Sequence, residues 1–162
     1  MKRIVIFGNS GSGKSTLAKM YSSKYLLPHL DLDTVAWKNT IPPTRKPIEE
    51  SEIILNNFIE QNSQYVIEGG YTDLLNIVIN EDNYLIFLNP GIVTCTNNCK
   101  NRPWEPHKYK SMEEQNKNLH MLLNWVKKYY VRNDEFSFKS HIKLYNDFKG
   151  DKVEYTSNQK IA

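Results

Sequence analysis

Long apolar runs are missing from this sequence of 162 residues. None approaches the roughly 18 residues that a membrane-spanning helix needs, so a span of that kind is excluded. The first residues, Met1-Lys2-Arg3-Ile4-Val5-Ile6-Phe7, carry a basic pair but only four apolar residues before Gly8. A secretory signal has a longer apolar core, and a cytoplasmic chain is expected. Cysteine is scarce too: Cys95 and Cys99 alone cannot build the framework of a disulfide-rich secreted domain. No internal repeat, low-complexity tract or linker interrupts the chain, which predicts one domain over 1–162. Hydrophobic residues at 40% and charged residues at 24% exclude disorder and coiled-coil rods.

The formal net charge is only +3, but it is unevenly placed. Residues 91–132 hold eight Lys or Arg against three acids, a local +5 that leaves −2 for the rest of the chain. An anionic partner is expected at that segment.

Residues 3–7 form a short continuous apolar run, the pattern of a strand buried on both faces of a parallel sheet. Tyr65-Val66-Ile67 and Tyr84 to Leu88 have the same character, and further strands are expected near 28–32 and 152–156. Between them the spacing predicts helices over 14–25, after Pro47, from about 91 to 100, along Leu119 to Tyr130 and around 137–149. Pro47 suits a first helical position, and Ile48, Leu55, Phe58 and Ile59 form a stripe behind it. Alternating strands and helices predict an α/β layer fold with a parallel sheet. Its right-handed crossovers bring every strand's C-terminal end to one edge, where ligands bind.

Gly8-Asn9-Ser10-Gly11-Ser12-Gly13-Lys14-Ser15 fits G-x-x-x-x-G-K-S/T without a mismatch, between a buried strand and a helix. The glycines let successive N–H groups turn inward as an anion nest, and the helix N-terminus adds partial positive charge. Lys14 can reach the β- and γ-phosphates, the Ser15 hydroxyl can ligate Mg²⁺, and Thr16 is a weaker candidate for the α-phosphate. ATP and Mg²⁺ are therefore the expected ligands.

An acid usually ends a second buried strand in such sites, but the strand 85–88 ends at Asn89. Glu68, before Gly69-Gly70, and the pair Asp31 and Asp33 can replace it. Asp31 and Asp33 are two apart on an extended segment and point the same way. One carboxylate would hold the metal while another orients or deprotonates an acceptor hydroxyl. Competing readings are a helix cap for Asp33, a solvated strand end for Glu68 and a surface position for Asp31.

Three patterns, the loop at 8–15, Leu32-Asp33-Thr34-Val35-Ala36-Trp37 and Val66-Ile67-Glu68-Gly69-Gly70-Tyr71, resemble the small P-loop kinases of the adenylate kinase and shikimate kinase type. Within them the chain looks most like the topology modulation (FlaR-like) group. The likeness runs in order over 1–88 and is looser beyond. It implies a P-loop NTPase fold of the nucleoside-monophosphate-kinase kind, with a five-stranded parallel sheet, an acceptor-side segment (33–62) and a lid (100–118). It assigns Mg²⁺ to Glu68 and the acceptor to Asp33; Ser15 and Asp31 are further candidates for the metal, and Gly69 and Gly70 for the acceptor side. The lids of many relatives carry several arginines, whereas this chain has four in all: Arg3, Arg45, Arg102 and Arg132. Arg102 or Arg132 would serve the transferring phosphoryl group, and Arg45 the acceptor.

Other features are weaker. Cys95 and Cys99 share a helix face, but His107 is the only further metal ligand nearby, so buried structural thiols are expected. Residues 100–110 interleave basic and aromatic side chains. This suits a lid closing over phosphates better than a strip binding single-stranded nucleic acid. His29, His120 and His141 have no partner that the sequence identifies. The expected activity is an ATP-dependent kinase acting on a nucleotide or a hydroxylated metabolite. The alternatives are a nucleotide-gated nucleic-acid binder and an ATP-binding protein without turnover.

Overall fold

A computed structural model describes residues 1–159; the last three residues of the expected domain lie outside the described ones. Five strands form one sheet in the order β2-β5-β1-β6-β7, every neighbouring pair parallel. They are β1 (Arg3–Gly8), β2 (His29–Asp31), β5 (Tyr65–Glu68), β6 (Tyr84–Leu88) and β7 (Lys152–Tyr155). A separate two-stranded ribbon pairs β3 (Trp37–Lys38) with β4 (Thr44–Arg45). The P-loop NTPase architecture expected from the sequence is thus present.

Alternation along the apolar strands builds two cores. Val5 and Phe7 of β1, with Ile67, Leu85 and Phe87, face α3 (Ile48–Gln61), α4 (Thr72–Val78) and α8 (Phe138–Asp147). Ile4, Ile6, Val66, Ile86 and Leu88 point the other way, onto Leu17 and Ala18 of α1 (Lys14–Tyr25). A third cluster joins Cys95 and Cys99 of α5 (Ile92–Asn101) to Val126 of α7 (Leu119–Lys127). Two further short helices are α2 (Asp33–Ala36) and α6 (Met112–Lys117). Among the described residues no helix is long and apolar enough to cross a membrane.

Several expectations need local correction. Pro47 precedes the first helical residue and occupies the cap position. Ile48 is exposed, and the stripe of α3 is carried by Leu55 with Ile54, Phe58 and Ile59. α2, α4 and α6 have no counterpart among the expected elements; each is too short to establish a helical period.

Candidate active site

The C-terminal ends of four neighbouring strands bring the site together. Gly8 pairs in register with Leu88, while Glu68 pairs with Ile6 on one side and Asp31 on the other. The loop 8–15 leaves β1 here. A side chain at Gly8 would stand 2.2 Å from the Leu88 carbonyl oxygen. Gly11 sits at φ +77°, and a Cβ there would lie 2.3 Å from the Cys95 carbonyl oxygen. Only glycine accepts that backbone conformation together with so close an approach. Neighbouring elements clamp the loop: Asn98 donates to the Gly11 carbonyl (2.8 Å), and Asn9 donates to that of Val126 (3.2 Å). Cys95 and Cys99 are buried behind it, and burial pushes the Cys95 thiol up to about 11, so it stays protonated.

Lys14 opens α1, and its Nζ donates to the Asn9 carbonyl at 2.8 Å. Burial lowers its pKa, opposed by the negative charges of Glu68 and Asp33. The ammonium therefore sits where low dielectric strengthens its attraction for an arriving anion. One residue on, the Ser15 hydroxyl donates to Glu68 Oε1 at 2.8 Å. Glu68 is only 2% exposed, so it is a buried carboxylate and not a solvated strand end. His29 Nε2 lies 3.5 Å from the same oxygen.

Asp31 and Asp33 face the same cleft. The Asp31 side chain is 14% exposed, which removes the surface reading. Its Oδ1 accepts the Asp33 backbone N–H (2.9 Å), and the cap position of α2 is Leu32, not Asp33. Asp33 is itself the first residue of α2. Its Oδ1 accepts from the Tyr71 hydroxyl, whose oxygen in turn accepts from Trp37 Nε1 (2.8 Å). Lys108 Nζ reaches its Oδ2 at 2.6 Å. Burial alone would raise the Asp33 carboxyl, but Lys108, Tyr71 and Lys14 outweigh it and hold it below the usual range. Asp31 moves the other way, raised by burial and by Glu68 and Asp33.

The cleft between loop and acids has a volume of about 1070 Å³. It brings together all of residues 8–16 with Asp31, Asp33, Glu68, Gly69, Gly70, Arg102 and Arg132. Arg102 is paired with Glu105 (3.1 Å) and also donates to the Cys99 sulfur. Arg132 lies 3.6 Å over the Trp125 ring and donates to the carbonyls of Trp125 and Phe136. Arg45 does not line the cleft. It stands behind Tyr71, held by Asp73 (2.9 Å) and Glu135 (3.4 Å). The acceptor role expected of Arg45 is thus not met, because two acids distant in sequence occupy its guanidinium.

Four residues of consequence have no role that the sequence identifies: Trp37, Tyr71, Lys108 and His141. Tyr71 follows the quoted Glu68-Gly69-Gly70 directly, and Lys108 lies in the flagged basic segment, so each had a faint signal. His141 is fully buried, with Nε2 at 2.8 Å from the Gly70 carbonyl oxygen and Nδ1 at 2.7 Å from the Tyr129 hydroxyl. It therefore steadies the backbone just after Glu68. Asn89, where an acid is usual, donates to Glu154 and accepts from Tyr130.

No family model matches the chain. An adenylate kinase from Wigglesworthia glossinidia brevipalpis is 38% identical over 58 residues, 35% of this chain. The chain spans only 28% of that curated relative's length. Among solved structures, a sugar kinase from Janibacter sp. HTCC2649 superposes with a TM-score of 0.52 at 12% identity, covering 95% of this chain and 85% of that one. A gluconokinase from Sinorhizobium meliloti 1021 gives 0.52 at 15% identity, with coverage of 98% and 84%. The chain shares the fold of these two kinases.

Proposed function

We propose that the chain is a cytoplasmic ATP-dependent kinase that transfers the γ-phosphoryl group of Mg-ATP to a hydroxyl of a small metabolite. One observation carries this: the Ser15 hydroxyl and the buried Glu68 carboxylate meet at 2.8 Å at the mouth of the phosphate loop. Two hard oxygen donors beside an anion nest, with Asp31 near them, suit Mg²⁺, which is held by one or two carboxylates plus waters and phosphates. When bound, Mg²⁺ neutralises charge on the β- and γ-phosphates.

The remaining work falls to side chains of the cleft. Loop N–H groups and Lys14 hold the triphosphate. The acceptor oxygen bonds to the γ-phosphorus as the bond to the bridging oxygen breaks and ADP leaves. Asp33 takes the hydroxyl proton or orients the hydroxyl, and its low pKa favours orientation. That suffices, because the loose transition state of phosphoryl transfer asks little of a base. Arg102, in the lid formed by residues 100–118, or Arg132 beyond it serves the transferring group. Arg45, spent on Asp73 and Glu135, gives no support to a phosphate on the acceptor. A hydroxylated metabolite is thereby favoured over a nucleotide. Nucleic acid is not the favoured partner, since Lys108, in the middle of the basic segment, is committed to carboxylates. The resemblance to the topology modulation group belongs with this proposal.

Asp33→Asn tests the acceptor side. Turnover should fall on the order of 10²–10⁴-fold while ATP affinity, measured calorimetrically, stays within about threefold. Unchanged turnover would remove Asp33 from the reaction.

A further inference from the structure

The segment 103–111 is a self-braced tip. Trp104 Nε1 donates to the Tyr109 carbonyl (2.9 Å), and the backbone N–H groups of Lys108 and Tyr109 both donate to that of Glu105 (3.0 Å). Gln115, buried in α6, ties the tip to its base by accepting from the Glu105 backbone N–H (2.9 Å) and donating to the Pro103 carbonyl (3.1 Å). Such internal bonding lets the tip move as one body. Among the described residues, the ion pairs from this tip to the far wall of the cleft are those of Lys108 and His107. Lys108 Nζ stands 2.6 Å from Asp33 Oδ2 and 3.5 Å from Asp31 Oδ2, with Glu105 Oε1 also at 3.5 Å; His107 Nε2 is 3.8 Å from Asp31. The guanidinium of Arg102, the arginine at the base of the tip, is turned to Glu105 and Cys99.

We infer that Lys108 is the catch of the lid, a positioning residue that closes it by gripping the Asp31–Asp33 pair at the acceptor end of the cleft. Closure is then set by the acceptor-side carboxylates and not by arginines on the nucleotide phosphates. This explains how a lid poor in arginine can shut. It also means that a hydroxyl arriving at Asp33 meets Lys108 there, so the lid and the acceptor share one carboxylate. The inference takes the names of the two ends of the cleft from the kinase reading, but its test needs neither nucleotide nor turnover.

Spin labels placed at two exposed positions, Ser23→Cys on α1 and Lys110→Cys on the tip, measure lid position in the unliganded full chain by pulsed dipolar spectroscopy. The native cysteines are buried and stay unlabelled. The labelled parent should give one narrow, short distance distribution. Lys108→Met should lower the closed-to-open ratio by about tenfold, an effect of the size expected for a charge-assisted bond; Asp33→Asn should reproduce it, and Lys108→Arg should restore closure. A parent already spread over long distances overturns the inference. So does a Lys108→Met chain that keeps the parent's distribution. Absence of kinase activity alongside a distribution that opens as described would count against the kinase reading and leave the catch standing.

Discussion

Lys14→Ala should reduce ADP release from Mg-ATP on the order of 10²–10³-fold, the loss that follows removal of one preorganised donor to a developing charge. The size follows from where the ammonium sits. It is enclosed by the loop, rests on the Asn9 carbonyl, and carries a pKa lowered by burial. Moving to the phosphates exchanges one neutral acceptor for charged oxygens whose charge shifts as the γ-group transfers, so the lost interaction is largest in the transition state. The fold should not suffer. Lys14 begins α1, where alanine is a better helix former, and the hydrogen bond lost is the one to the Asn9 carbonyl. Steady-state turnover together with a melting curve separates the two effects, and a well-folded variant with full turnover would remove Lys14 from the phosphate site.

Acidification should destabilise the protein through His141. Burial pushes its pKa down to about 4; the Gly70 hydrogen bond opposes this, while Lys14 and Arg132 add to it. The unfolded chain binds this proton near pH 6.5. Between those values the unfolded state takes up a proton that the folded state refuses, so stability is intact above about pH 6.5 and falls as pH drops toward 4. Between pH 7 and pH 5 the loss from this one group is about 2 kcal/mol, approaching 3 kcal/mol at pH 4. Urea unfolding at pH 7 and pH 5 checks it against His141→Gln, which can still donate to the Gly70 carbonyl but does not titrate. The variant should be less stable at pH 7 and lose about 2 kcal/mol less on acidification. Equal losses in both proteins would place the acid sensitivity elsewhere.

The strands and the glycine-rich loop were legible because their physics is local. A five-residue apolar run needs burial on both faces, and the glycine pattern of 8–15 encodes a turn within contiguous residues. Ser15 and Glu68 followed from the same logic, since a hydroxyl after the loop lysine and an acid at a strand end meet wherever parallel strands share an edge. Residues whose role depends on a distant partner did not show themselves. Tyr71 bonds Asp33 from 38 positions away, and His141 reaches Gly70 across 71. Arg45 misled for that reason: Asp73 and Glu135, which occupy it, lie 28 and 90 positions off. Lys108 was one basic residue among eight in its segment until the fold set its ammonium between two carboxylates. α4 escaped because Leu74, Leu75 and Val78 span barely one turn and a half, too short for a helical period to stand out.

Transfer of phosphate from γ-labelled ATP to a panel of uncharged hydroxylated metabolites, nucleosides and nucleoside monophosphates tests the central claim most directly. Label is expected on a phosphate-free hydroxyl compound, in a reaction that requires Mg²⁺ and disappears with Lys14→Ala. Tight binding of Mg-ATP with no label on any acceptor, and no change in that binding with Lys14→Ala, would contradict it.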